Sequence, residues 1–129
     1  VRFAIKIVRL DHIQLAMPAG EEAKARTFYG ALLGLHEIPK PAPLAKRGGC
    51  WFQGAGFQVH LGIEEDFRPA RKAHPAFAVS DLEELKKKLE QAGIEIWIDP
   101  ATPDAKRFHA FDLFGNRLEF VQDGIGLLA

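Results

Sequence analysis

The hydrophobic positions fall into two runs that repeat the same order of elements. Phe3, Ile5 and Ile7 share one side of the chain, and Ile13 and Leu15 keep the two-residue spacing. This pattern predicts an extended lead-in and then a strand over Leu10–Ala16, ended by Pro18 and Gly20. From Glu21 to Leu33 the spacing changes to three and four. Ala23, Ala25, Phe28, Tyr29, Leu32 and Leu33 make a helical stripe, with acids in the first turn and Gly34 as a stop. A short strand follows at Leu35–Ile38, and Pro39, Pro41 and Pro43 then predict a stiff loop. Cys50–Gln53 and Phe57–Gly62, joined by Gly54-Ala55-Gly56, read as a β-hairpin.

After a charged linker at Glu64–Lys72 the order recurs. Ala73–Val79 predicts a strand. Ser80 and Asp81, with Glu83 and Glu84 behind them, signal a helix start. Leu82, Leu85, Leu89 and Ala92 form its apolar stripe and Gly93 ends it. A strand at Ile94–Ile98, a loop at Asp99–Asp104 and a hairpin of Arg107–Asp112 with Arg117–Gln122 complete the second run. The expected fold is α+β: tandem βαβββ modules over 8–64 and 73–122 form a cupped mixed β-sheet with helices on its outer face.

Composition narrows the function. The 129 residues carry 17 Lys+Arg and 17 Asp+Glu. A neutral chain without a long basic run argues against nucleic acid or an anionic membrane surface as partner. No apolar run approaches the ~20 residues of a membrane span. Arg2, Lys6 and Arg9 interrupt the apolar start, which does not read as a secretory signal, so a cytoplasmic protein is expected. The single Cys50 excludes an internal disulfide and a Cys-rich zinc site; it reads as a small buried hydrophobe.

Four ionisable residues stand at matched places in the two runs: His12 and His60 in the first and last strands of one, His74 and Glu119 in those of the other. Alternation puts His12 with Gln14, His60 with Gln58, His74 with Ala76 and Glu119 with Arg117, each opposite an apolar set. A carboxylate among apolar neighbours needs a partner, and three imidazoles around one cation supply it. Taken singly, each histidine also fits a hydrogen-bonded strand position.

The stretches Leu10–Leu15, Phe28–Leu35, Gln58–Gly62, His74–Val79 and Asp112–Phe120 resemble those of the vicinal-oxygen-chelate superfamily. That superfamily includes glyoxalase I, extradiol dioxygenases, fosfomycin-resistance transferases, methylmalonyl-CoA epimerases and bleomycin-resistance proteins. The resemblance implies a divalent metal held by His12, His60, His74 and Glu119, a small-molecule substrate and a homodimer. Modules pair in that superfamily either within a chain or between two chains. His60 departs from the Glu or Gln usual at its position, and Leu113 stands where the turn usually has Pro.

Mixed His/Glu ligation suits Zn, Ni, Mn or Fe(II), and two open positions on the ion chelate neighbouring oxygens of a substrate. Four ligands on a tetrahedral zinc close the site instead. His109 is a candidate acid or base alongside Glu119, or else a surface histidine, and His36 reads as surface. Gln14, Trp51, Phe52, Phe111 and Arg117 are the candidate substrate contacts. The expected function is a metal-dependent lyase, isomerase or dioxygenase; the alternative is a metal-independent sequestering protein of bleomycin-resistance type.

Overall fold

The computed structural model describes residues 4–125. Phe3 of the lead-in lies outside them. Eight strands and three helices form an α+β arrangement in which each half of the chain builds one four-stranded mixed sheet. The first contains β1 (His12–Met17), β2 (His36–Ile38), β3 (Cys50–Gln53) and β4 (Gln58–Ile63), in the order β1-β4-β3-β2. The second contains β5 (Ala76–Val79), β6 (Ile96–Trp97), β7 (Arg107–Phe111) and β8 (Arg117–Gln122), in the order β5-β8-β7-β6. In each sheet the first strand runs parallel to the fourth, and the other pairings are antiparallel.

Alternation sets the two faces. On β1, Leu15 and Met17 are buried while His12 and Gln14 are exposed. The buried side receives the helix that begins as α1 (Glu22–Ala25) and continues into a wider π-helical stretch, Arg26–Leu32. There the Leu33 N–H donates to the Phe28 carbonyl, five residues back. Ala25, Phe28 and Tyr29 are fully buried, with the Tyr29 ring 5.8 Å from that of Phe52. The proline-rich segment contains a single turn, α2 (Ala42–Ala45), with a proline in its first turn. In the second module α3 (Leu82–Gln91) starts at Asp81, whose side chain accepts from the Glu84 N–H. Its buried Leu82 and Leu89 face the sheet, and Gly93 (φ 77°) ends it in a left-handed turn.

A buried polar network joins the modules. The Tyr29 hydroxyl donates to Asp112 Oδ2 at 2.6 Å, and Asn116 Nδ2 donates to the same oxygen at 3.0 Å. Asp112 Oδ1 accepts from the backbone N–H groups of Phe114 and Asn116, closing the β7–β8 turn. Asn116 then donates to the carbonyl of Ala16 on β1 and accepts from the Ala70 N–H. Burial and the neighbouring Asp112 push the Tyr29 hydroxyl well above its ordinary range, so it remains a donor.

Tyr29→Phe keeps the ring packing but removes one donor from a buried carboxylate. A loss of about 1–3 kcal/mol is expected from urea unfolding, with Asn116→Ala costing at least as much.

Candidate functional site

Strand register turns the expected equivalence of the two modules into geometry. Gln14 and Trp51 flank His60 in the first sheet; Ala76 and His109 flank Glu119 in the second. His60 and Glu119 therefore hold equivalent positions, as do Trp51 and His109. His12 and His74 each stand two residues before the first-strand partner; His74 precedes β5 itself.

Within one chain the four expected ligands lie in two half-sites. In the second, His74, His109 and Glu119 each offer an atom within 4.8 Å of the others, the only such group of three among the described residues. His74 Nδ1–H donates to the Lys72 carbonyl at 2.9 Å, so its Nε2 faces Glu119 Oε1, 2.9 Å away. An imidazole nitrogen facing a carboxylate oxygen needs a proton or a cation between them, and a divalent ion suits this donor pair. Arg107 donates to Glu119 Oε2 at 3.3 Å and is itself anchored to Asp99 and Thr102. Burial works to raise the Glu119 carboxyl, but His74 and Arg107 outweigh it and hold the group below its ordinary range.

His109 plays a different part. Arg117 Nε donates to its Nδ1 at 3.2 Å, so the proton of the neutral ring sits on Nε2. That Nε2–H is buried and has no hydrogen-bond partner. Neither nitrogen has a free lone pair, so His109 stands beside the His74–Glu119 pair as a hydrogen-bond donor. Burial, then the charges of Arg117 and Arg107, push its pKa down. It is 1% exposed, which replaces the surface position that the sequence left open.

In the first half-site Asp11 Oδ2 accepts from His12 Nδ1–H at 3.0 Å, leaving His12 Nε2 free to bind a metal. The His60 ring is sandwiched between Trp51 (3.8 Å, 3°) and His12 (4.2 Å, 17°). Gln53 donates to two carbonyls and so presents its oxygen to Gln58 Nε2; Gln58 in turn offers its oxygen to His60 Nε2–H at 2.8 Å. His60 thus keeps only Nδ1 as an acceptor. Burial and the nearby His12 lower its pKa.

The remaining candidates separate by strand face. Gln14 lies against Gly62, where an added Cβ would come 2.8 Å from its Nε2. Trp51 covers His60, whereas Phe52 points to the opposite side of β3 and is fully buried beneath Tyr29; it is core, not cavity wall. Phe111 lies under the Arg71 guanidinium at 4.9 Å. His36 is exposed on β2, and burial pushes the Cys50 thiol up to about 11, consistent with an inert core residue. Arg107, Trp97 and Asp11 were not singled out from the sequence. Two-residue alternation from His109 places Arg107 on the site face, and Asp11 adjoins His12.

A duplicated βαβββ unit with a His/His/Glu group on its second half defines a vicinal-oxygen-chelate fold. Residues 9–120 match the family model described as the Glyoxalase/Bleomycin resistance protein/Dioxygenase superfamily, and the chain belongs to that superfamily. It is similar to the structure of a glyoxalase family protein from Bacillus anthracis, with 48% identity, TM-score 0.86, and 93% of this chain and 98% of that one covered. Two more distant structures share the fold. One is the fosfomycin resistance protein FosX of Listeria monocytogenes (16% identity, TM-score 0.68, 94% and 95% covered). The other is TnmS3, an antibiotic binding protein of a Streptomyces species (18%, TM-score 0.70, 92% and 98% covered). No curated protein matches the sequence. The description of the superfamily itself sets glyoxalases and dioxygenases beside bleomycin resistance proteins. Among the described residues, no helix is long and apolar enough to cross a membrane.

The depressed pKa values give acid lability a sign. His60 and His109 fold as neutral rings, while an unfolded histidine protonates near 6.5. Their stabilisation is present above about pH 6.5 and is lost as pH falls below it. In metal-free protein the melting temperature should fall by about 2–8 °C between pH 7.5 and 5.5. His109→Gln should reduce that fall.

Proposed function

We propose that the protein is a divalent-metal-dependent enzyme of the lyase, isomerase or dioxygenase type, acting on a small oxygenated molecule. The observation that carries this reading is the His74 Nε2–Glu119 Oε1 pair at 2.9 Å, with the far nitrogen of His74 already committed to the Lys72 carbonyl. His74, Glu119 and His12 are the ligand set these hydrogen bonds favour. His60, whose Nε2–H is held by Gln58, backs His12 as a stacked ring. These three residues would hold the ion, which would supply Lewis-acid stabilisation of charge on the oxygens of a bound substrate. Arg107 holds the second carboxylate oxygen and orients Glu119. The neutral His109 Nε2–H is the donor available to a substrate oxygen that gathers negative charge.

Because His12 stands outside the His74–His109–Glu119 group, we assign the complete site to a homodimer that pairs the first module of one copy with the second module of another.

Purified protein should carry close to one divalent ion per chain, and His12→Ala, His74→Ala and Glu119→Gln should each lose it while staying folded. Refolding a mixture of His12→Ala and Glu119→Gln chains should regenerate about one intact site per mixed dimer, measured as bound metal. No recovery on mixing rejects the exchanged pairing. Wild-type protein without metal, and without thermal stabilisation by Zn, Ni, Mn or Fe(II), rejects the enzyme reading in favour of a sequestering protein.

A further inference from the structure

An open pocket lies beside His109. It has a volume of about 340 Å³ and is lined by Arg71, Glu95, Trp97, Phe111 and Arg117. Two guanidinium groups lie over its aromatic walls: Arg71 Cζ is 4.9 Å from the Phe111 ring centroid and Arg117 Cζ is 5.3 Å from that of Trp97. Arg117 is fixed at two further points, donating from Nε to His109 Nδ1 at 3.2 Å and from Nη1 to the Arg71 carbonyl at 3.4 Å. Its fork is therefore ordered before any ligand arrives, which lowers the entropic cost of binding.

Neither arginine forms an ion pair with a carboxylate among the described residues. Glu95 lines the same pocket but forms no ion pair with either of them. Two guanidinium groups without ion pairs, each over an aromatic ring, match one ligand chemistry: a carboxylate carried on a flat, unsaturated or aromatic group.

We propose that this cavity binds the carboxylate end of a planar organic acid, with Arg71 and Arg117 taking the charge and Trp97 and Phe111 taking the flat group. Arg117 also donates to the unprotonated Nδ1 of His109, so one imidazole stands between the anion's arginine and the group it forms with His74 and Glu119. The inference rests on the proposed function only in making that acid the substrate. Anion binding itself needs no metal.

Metal-free protein titrated calorimetrically with benzoate tests it, with benzamide as the uncharged isostere. Benzoate should bind saturably, weaken as salt rises, and exceed benzamide by at least about tenfold. Arg71→Gln should lose that preference while keeping the wild-type melting temperature and metal content. The His109 imidazole ¹⁵N resonances should shift on benzoate saturation, because Arg117 touches both. Equal binding of the two probes, unaltered benzoate binding in Arg71→Gln, or no heat from benzoate at all would each overturn the proposal. Intact benzoate binding in a protein that fails to take metal would leave this site standing and remove only the enzymatic reading.

Discussion

The carboxylate of Asp112 is the group on which the arrangement of the two modules depends. It accepts four hydrogen bonds, two from its own turn, one from Asn116 and one from Tyr29 of the other module. An oxygen-only acceptor buried in apolar surroundings is costly unless every lone pair finds a donor. Meeting that demand locks the β7–β8 turn and places it under the first helix and the end of β1. Arg117 and Glu119 leave that turn in fixed register, so the interaction that joins the modules also aims the site residues.

The half-sites are built alike but specialised differently. In both, a histidine ahead of or at the start of the first strand is oriented by an oxygen on Nδ1: the Asp11 carboxylate for His12 and the Lys72 carbonyl for His74. On the fourth strand the modules diverge. Glu119 is a carboxylate held by a guanidinium, while His60 is a ring stacked between two others. The first half contributes an oriented imidazole and a flat aromatic surface, and the second contributes a buried carboxylate.

Much of this was legible in the sequence, because period-two alternation is a local property. It placed His12 with Gln14, set Phe77 opposite Ala76 and Ala78, and located both hairpins. The π-helical widening at Arg26–Leu32 was not legible, since the same stripe fits an ordinary α-helix. Nor was the turn at Ala42–Ala45, because proline both breaks strands and starts helices. Phe52 was misplaced by its aromatic character, although alternation with Trp51 already put it on the core side. The separation of His12 from His74 depends on how two modules dock, and strand periodicity carries no information about that.

Arg107 reaches Glu119 with one end of its guanidinium and the loop residues Asp99 and Thr102 with the other. The loop between β6 and β7 is thereby wired to the charge of the Glu119 carboxylate through a single guanidinium. Loops accept insertions and exchanges that strands do not. Descendants of this scaffold can therefore retune the charge on one buried oxygen by editing a surface segment, and leave His74 and Glu119 in place.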